Sequence, residues 1–360
     1  MRLGIIGLPN SGKTTIFNAL TRSNRPTGAV SSGKIEIFTA VVPVPDPRLE
    51  ALVGMYKPKR TVHTTITYTD IGGLEKGIGA GGLNGALRNE LQQVDGFLHV
   101  VRAFEDDNVP HPEESVNPAR DLSTIDTEFI LADMLIVEKR LEKMAEDVKR
   151  NRVANKMAAE QETEVMTRFK AQLDQELPLR DIEVSEDELK IVRGYGLLSI
   201  KPVVVIFNVG EKMRPPSNFI SSYDHRNTAL VSLQGKVEAE ISQLEGDDAQ
   251  MFLAEYGIIE PSARRVIWAS YELMKIQTFF TVGEDECRAW SVTIGANAPQ
   301  AAGVIHSDLA RGFIRAEVMA YADLMRLGSE AELRKVGLFR LEGKEYIVKD
   351  GDIMNIRFAV

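Results

Sequence analysis

The chain has 360 residues, of which 44% are hydrophobic and 26% are charged, a length typical of two or three folded domains with sizeable cores. The single cysteine, Cys287, excludes an intramolecular disulfide and a multi-cysteine zinc site. The formal net charge of −9 excludes attraction of nucleic acid or an anionic membrane by the field of the whole molecule. We see no signal-peptide pattern and no apolar run long enough to cross a bilayer, so we expect a cytoplasmic protein.

Residues 1–124 alternate short apolar segments with helical patterns, as in LGIIG, TTIFNAL, TITYTDIGG and GFLHVV. These segments are too short for free-standing helices, and glycine or aspartate turn residues bound each of them. Such alternation is typical of a parallel sheet covered by helices. We therefore predict an α/β domain that begins here.

Residues 125–196 carry a different pattern, with apolar side chains spaced four and three residues apart. This seam comprises Ile130, Met134, Val137, Leu141, Met144 and Val148. A second helical stripe ends before Pro178, which favours two antiparallel helices inserted into the α/β domain as a coiled coil. The turn between the helices, here called the hairpin tip, is basic and contains Lys149, Arg150, Arg152 and Lys156. The tip is either a solvated helix end or a contact surface for RNA or the ribosome.

The α/β pattern returns over residues 197–276. The apolar run at 203–207 has no polar alternation, so we expect a strand buried on both faces in the middle of the sheet. Residues 277–360 then change to short β-like segments around one helical stretch near 304–314, which indicates a compact mixed domain.

The strongest local signal is GLPNSGKT at positions 7–14, which matches the phosphate-loop pattern G-x-x-x-x-G-K-[ST]. It follows an apolar strand and opens a helix, so backbone N–H groups and the helix N-terminus can surround phosphates. Lys13 would place a charge on the β- and γ-phosphates, and the Thr14 hydroxyl would ligate Mg²⁺.

A D-x-x-G match begins at Asp70, directly after a β-like run. This carboxylate could hold Mg²⁺ through water, and the Gly73 N–H could meet the γ-phosphate. Where a glutamine would orient the attacking water, the chain has Leu74, so we expect slow unassisted hydrolysis. Of the histidines, His63 and His99 suit structural positions. His111 lies in a polar loop and is either a surface residue or a group delivered to catalysis.

The run VVVIFNVGEK predicts a base-recognition loop that starts at Asn208. A guanine-specific loop would carry Asn-Lys-x-Asp, but this chain has Val209 in place of the lysine and the longer Glu211 in place of the aspartate. Asn208 can still accept from adenine's exocyclic amine and donate to its ring nitrogen. We therefore predict ATP binding at least as good as GTP binding; an ordinary exit from strand to loop is the alternative.

Several long stretches together resemble the YchF or Obg-like ATPase family, an Obg-related branch of the translation-factor P-loop NTPases. They are GLPNSGKTTIFNALT, VVPVPDPRLEAL, DIGGL, IDTEFILAD and the C-terminal run TFFTVGEDECRAW to YIVKDGDIMNIRF. The resemblance implies a P-loop domain interrupted by a helical hairpin and followed by a TGS domain, a small ubiquitin-like α+β fold. It also implies nucleotide hydrolysis and association with ribosomes or RNA, and it associates the N-x-x-E base loop with ATP.

The resemblance carries site roles onto individual residues. Its nucleotide-binding positions fall on Asn10, Ser11, Gly12, Lys13, Thr14 and Thr15 in the phosphate loop and on Ser232 near the base. Thr14 takes the Mg²⁺ hydroxyl, Leu74 the hydrophobic position that replaces glutamine, and His111 the loop histidine that could orient water.

Two positions depart from the family pattern. Lys34 aligns with the switch threonine, and lysine cannot ligate Mg²⁺ as a hydroxyl does, although Thr39 could substitute. The usual S-A-K-x-E-A-E stretch appears as SLQGKVEAE at 232–240, with one extra residue. Both departures point to altered switching or base-loop geometry.

These observations predict an Mg²⁺-dependent nucleoside triphosphatase that acts as a slow switch on the translation machinery. One alternative is a ribosome- or RNA-binding protein that nucleotide regulates without hydrolysis, and another is a GTP-preferring GTPase. A metabolic P-loop kinase is disfavoured because no lid-like arginine cluster is evident.

Overall fold

The computed structural model of the protein describes residues 1–27, 37–72, 85–244, 246–258 and 260–359. By its internal contacts the chain divides into two units. The first comprises Met1–Val42 and Thr67–Ala269, and the second comprises Pro43–Ile66 and Ser270–Val360. Among the described residues, no helix is both long and apolar enough to span a membrane.

The strands are β1 (Arg2–Ile6), β2 (Ile37–Pro43), β3 (Arg60–Val62), β4 (Thr65–Ile71), β5 (Gly96–Ala103), β6 (Val203–Val209), β7 (Thr228–Leu233), β8 (Ile276–Thr281), β9 (Glu286–Thr293), β10 (Phe313–Ala320), β11 (Arg340–Glu342) and β12 (Asp352–Phe358). The helices are α1 (Lys13–Thr21), α2 (Pro47–Tyr56), α3 (Gly85–Gln92), α4 (Pro118–Lys149), α5 (Lys156–Leu173), α6 (Glu186–Val192), α7 (Gly235–Ile241), α8 (Gly246–Glu255), α9 (Ser262–Leu273), α10 (Ala298–Ile305), α11 (Ser307–Arg311), α12 (Tyr321–Leu327) and α13 (Glu330–Lys335).

The first unit is built on a six-stranded sheet in the order β2-β4-β1-β5-β6-β7. From β4 to β7 every neighbouring pair is parallel. Strands β5 and β6 are buried along their whole length, as the apolar runs of the sequence predict for the middle of a parallel sheet. The predicted α/β fold is therefore confirmed. Because parallel strands end at one edge of the sheet, the carboxyl ends of β1, β4 and β6 lie together there.

Two long helices, α4 and α5, form the hairpin between β5 and β6. Asn117 caps α4 by accepting from the Arg120 N–H, and Asn155 caps α5 in the same way. Buried apolar side chains from both helices share one cluster, and Arg140 donates to Glu162 across the pair.

The hairpin differs from the sequence prediction at both ends. Helix α4 begins at Pro118, ahead of the predicted position 125. The buried seam ends at Met144, and Val148 is 64% exposed. The tip residues Lys149, Arg150, Arg152 and Lys156 are all exposed.

The second unit contains another six-stranded sheet, in the order β11-β10-β12-β8-β9-β3. The predicted C-terminal mixed domain is present here. Residues 43–66, which the sequence analysis assigns to the P-loop domain, belong to this unit. The reason is physical: β3 pairs in parallel with β9, and Leu49 and Leu52 of α2 pack in a core with Phe280. Helical and strand patterns alone do not show which sheet such a segment joins.

Candidate functional site

The phosphate-loop sequence forms a tight turn between β1 and α1. Gly7 and Gly12 both have positive φ, at 147° and 93°. A Cβ on Gly7 would lie 2.3 Å from the Val100 carbonyl oxygen, and one on Gly12 would lie 2.1 Å from Asn208 Nδ2. Asn10 also has positive φ, at 61°. The glycines of the motif are thus required by both conformation and close packing.

Lys13 is the first residue of α1, and its side chain lies over the loop. Its Nζ donates to the carbonyl oxygens of Gly7 at 3.1 Å and Leu8 at 2.9 Å. Thr15 follows in the first helical turn and is half-buried. This arrangement puts an ammonium group and a helix N-terminus on the same side of the loop, which suits a polyphosphate.

A hydroxyl and a carboxylate meet beside the loop. Thr14 Oγ1 donates to Asp70 Oδ2 at 3.1 Å, and Asp70 is 4% exposed. The pair is brought together because β1 and β4 run in parallel, with Ile5 opposite Asp70. Both are hard oxygen donors of the kind Mg²⁺ prefers, so the donor set fits this metal.

Arg25 also lies beside Thr14 and Asp70, and this residue was not predicted from the sequence. Its Nη1 lies 2.8 Å from the same Asp70 oxygen. The two residues are separated by 45 positions in a chain with many arginines, and the motif patterns carry no signal for the pairing.

His111 lies in a loop that touches the phosphate loop, since Asn10 Nδ2 donates to the Pro110 carbonyl at 2.9 Å. Both nitrogens of the imidazole are engaged with protein groups. Its Nδ1 accepts from the Glu113 N–H at 3.0 Å, so the neutral ring carries its hydrogen on Nε2, 2.9 Å from Asp121 Oδ2. With 4% of its side chain exposed, His111 holds the loop to the start of α4 in this conformation.

Asn208, at the end of β6, joins two loops. Its Nδ2 donates to the Ser11 carbonyl at 2.9 Å, and its Oδ1 accepts from the Gly235 N–H at 3.2 Å. The side chain is almost fully buried. Both amide functions are therefore engaged with protein groups, whereas the sequence analysis assigns them to a purine base.

The other predicted base-loop residues differ in exposure. Val209 is buried and Glu211 is exposed, while the Glu211 carbonyl accepts from the Gln234 amide. Ser232 is 5% exposed.

Three buried polar atoms around these loops have no hydrogen-bond partner among the described residues: Ser11 Oγ, Ser232 Oγ and Gln234 Oε1. Buried polar groups are normally paired, so unpaired ones beside a glycine-rich loop are what a ligand-binding site would leave.

Three predicted positions, Lys34, Gly73 and Leu74, lie outside the described residues. Thr39, the suggested substitute for the switch threonine, has its hydroxyl 3.5 Å from the hydroxyl of Thr69. Because neighbouring side chains of a strand point to opposite faces, Thr39 is on the face away from Asp70.

The remaining histidines of the sequence analysis take structural positions. His99 is 2% exposed in the middle of β5, and burial lowers its pKa to about 4. His63 lies 3.5 Å from Glu50 in the second unit.

A phosphate loop between the first strand and first helix of a parallel sheet, with Thr14 and Asp70 beside it, defines the class of P-loop nucleoside triphosphate hydrolases. A family model described as "50S ribosome-binding GTPase" matches residues 2–140. The model YchF-GTPase_C, described as "Protein of unknown function (DUF933)", matches residues 276–359.

Full-length relatives identify the family more closely. The chain is 42% identical to "Ribosome-binding ATPase YchF" of Bacillus subtilis, covering 99% of each chain. It is 36% identical to "Obg-like ATPase 1" of Caenorhabditis elegans, covering 99% of this chain and 92% of the relative. The solved "Structure of the Schizosaccharomyces pombe YchF GTPase" is similar with a TM-score of 0.83 and 32% identity, over 99% of this chain and 97% of that one. The protein belongs to the YchF/Obg-like ATPase family, which confirms the resemblance seen in its sequence.

Proposed function

We propose that the protein is an Mg²⁺-dependent nucleoside triphosphatase that accepts ATP at least as well as GTP and acts as a slow switch on the ribosome. The observation that carries this proposal is the meeting of Lys13, Thr14 and Asp70 at the phosphate loop. Similar proteins are named ribosome-binding ATPases, which supports the partner and the nucleotide. A ribosome-bound switch acts in the cytoplasm, and we propose that compartment.

Catalysis would be positional and electrostatic. The loop amides and Lys13 hold the β- and γ-phosphates, and the N-terminus of α1 adds its positive end. Thr14 would ligate Mg²⁺ directly and Asp70 through water, and the cation would offset charge that develops on the transferred phosphoryl group. The Gly73 N–H would meet the γ-phosphate.

We expect slow turnover because the residues at the positions that would orient the attacking water or hold the metal are poorly suited to these roles. A leucine at position 74 offers no hydrogen bond, and Lys34 cannot replace a hydroxyl as a metal ligand. His111 is turned toward Asp121. Hydrolysis assisted by His111 would require this loop to rearrange, and we propose that ribosome binding provides that rearrangement.

Nucleotide preference is proposed to depend on the loops around Asn208. Without a lysine after Asn208 and with Glu211 in place of aspartate, the loop lacks the groups that favour guanine. A titration of ATP, GTP and their diphosphates with Mg²⁺ tests this, and a preference for GTP of about tenfold or more, or 1.4 kcal/mol, would contradict it.

The ribosome-binding surface is proposed to include the hairpin tip and the TGS domain. Lys149, Arg150, Arg152 and Lys156 are all exposed, so their charges are accessible to RNA phosphates. The net charge of the chain is −9, so any attraction to RNA must come from such a local patch.

A second candidate is a nucleotide-regulated ribosome-binding protein with negligible hydrolysis. The engagement of His111 with Asp121 favours it. Single-turnover hydrolysis of ATP with and without ribosomes separates the two candidates. Turnover that ribosomes accelerate supports the switch, and no turnover in either condition supports the binder.

The site assignment is tested with Lys13→Ala, using Lys139→Ala as the control because Lys139 is an exposed helix residue of the same unit. We expect the first variant to lose triphosphate binding and the second to keep it. If Lys13→Ala bound and hydrolysed ATP like the parent protein, the phosphate-loop assignment would be wrong.

A further inference from the structure

Arg25 places a positive charge beside Thr14 and Asp70, the two residues proposed to bind the metal. Its Nη1 lies 2.8 Å from Asp70 Oδ2, the same oxygen that accepts from the Thr14 hydroxyl at 3.1 Å. The guanidinium is thus placed on the carboxylate that the metal would use, beside the hydroxyl that the metal would bind.

The Arg25 backbone is held in place by α1. Asn18, which is 6% exposed, makes hydrogen bonds to both the N–H and the carbonyl group of Arg25. The Asn18 Nδ2 donates to the Arg25 carbonyl at 2.9 Å, and the Arg25 N–H donates to Asn18 Oδ1 at 3.1 Å. Since α1 is the helix that begins at Lys13, these hydrogen bonds tie Arg25 to the same element that carries the phosphate loop.

The Arg25 side chain is also preorganised. Its guanidinium carbon lies 3.1 Å from the centre of the Phe38 ring, and only 22% of the side chain is exposed. Stacking and the ion pair together restrict the long side chain to one arrangement, so little further entropy is lost when it meets another anion. A solvated surface arginine would lack all of these restraints.

We propose that Arg25 is an internal cation of the nucleotide site, which shares Asp70 with the divalent metal and takes over part of its role toward the phosphates when the metal is absent. The inference rests on the proposed Mg²⁺-dependent nucleotide binding. It has two consequences. First, Mg²⁺ must compete with a guanidinium for Asp70, so a higher Mg²⁺ concentration is needed to occupy the metal site than would be needed without Arg25. Second, nucleotide binds more strongly in the absence of metal than the phosphate loop alone would allow.

The test measures binding of a nonhydrolysable ATP analogue to the full-length protein by calorimetry, in EDTA and across an Mg²⁺ titration. For Arg25→Ala we expect about tenfold weaker binding in EDTA and an Mg²⁺ midpoint about tenfold lower, the effect of one well-placed charge pair. At saturating Mg²⁺ its affinity should stay within about threefold of wild type. Arg25→Lys keeps the charge but loses the planar stacking, so its affinity in EDTA and its Mg²⁺ midpoint should lie between those of wild type and Arg25→Ala.

The matched control is Arg22→Asn, because Arg22 is exposed and its positive φ of 55° suits asparagine. We expect this variant to match wild type in both measurements. Phe38→Leu, which removes the stacking ring and keeps the charge, should shift both quantities in the direction of Arg25→Ala.

Unchanged EDTA affinity and Mg²⁺ midpoint in Arg25→Ala would overturn the role of Arg25 while leaving nucleotide binding intact. Equal shifts in Arg25→Ala and Arg22→Asn would also overturn it, because they would show a general effect of surface charge. A wild-type protein that binds no nucleotide in any condition would instead overturn the proposed function itself.

Discussion

Replacing Asn208 with alanine tests whether this side chain positions the loops or reads the base. In the structure its amide joins the Ser11 carbonyl at 2.9 Å to the Gly235 N–H at 3.2 Å. The contact is tight, since a Cβ on Gly12 would lie 2.1 Å from Nδ2 and one on Gly235 would lie 2.5 Å from Oδ1. Removing the amide therefore releases the phosphate loop from the start of α7.

The magnitude follows from the two hydrogen bonds. Each contributes about 0.5–1.5 kcal/mol net, and the partners left buried add desolvation costs, so we expect Asn208→Ala to lose about 2–3 kcal/mol of unfolding free energy. Because the Ser11 carbonyl belongs to the phosphate loop, the phosphate site loosens whichever base is attached. We expect ATP, GTP and inorganic triphosphate to bind about tenfold more weakly, with the ratio of ATP to GTP affinity unchanged.

Calorimetric titration of the three ligands with Mg²⁺, together with thermal unfolding, provides the measurement. Asn89→Ala serves as the control, since Asn89 is an exposed residue of α3. The positioning role would be refuted if Asn208→Ala lost affinity for ATP but bound inorganic triphosphate like wild type. That outcome would return Asn208 to base recognition.

Gly235→Ala places a methyl group 2.5 Å from a buried amide oxygen and 2.8 Å from an isoleucine carbon, so we expect a lower melting temperature and weaker nucleotide binding. Gly54→Ala, with nothing within 4 Å, should instead gain up to about 1 kcal/mol from helix propensity; equal melting temperatures for the two variants would contradict this. Burial lowers the pKa of His99 from 6.5 to about 4, so between these values the unfolded chain binds a proton that the folded chain does not. The free energy of unfolding should therefore decrease as the pH is lowered through that window, and should be about 2 kcal/mol smaller at pH 5 than at pH 7. Urea unfolding of His99→Gln should lack this pH-dependent decrease. Arg180→Met leaves the Asp126 carboxylate, which now lies 2.7 Å from the buried Arg180 guanidinium, without its ion-pair partner. In the same urea assay the free energy of unfolding should decrease by about 3–5 kcal/mol. Arg226→Met breaks an exposed ion pair and should cost less than about 1 kcal/mol; similar losses in the two arginine variants would contradict the role of burial.

The phosphate loop and the central strands could be predicted because their signals are local. The motif at 7–14 specifies its own turn, and the unbroken apolar run of β6 can be accommodated only where both faces are covered. The hairpin was predictable for the same reason, since its apolar spacing matches the helical repeat. Its start at Pro118 was not, because the cap at Asn117 follows a polar loop that carries no periodicity.

The assignment of residues 43–66 shows a different limit. Helix α2 and strand β3 have ordinary local patterns, and these are compatible with either sheet. The pairing of β3 with β9 joins positions more than two hundred residues apart, and no local pattern encodes that choice.

The sequence by itself determined the class of site, because a phosphate loop is a continuous segment whose glycines, lysine and threonine act through their own backbone and helix. It also determined the family, through motifs that run in order along the whole chain. Only the tertiary structure decided what the isolated side chains do. Asn208 binds two loops, His111 faces Asp121, and Arg25 reaches Asp70. Each of these contacts joins residues that are well separated in the chain, and a polar side chain takes whichever partner the packing brings within hydrogen-bond distance.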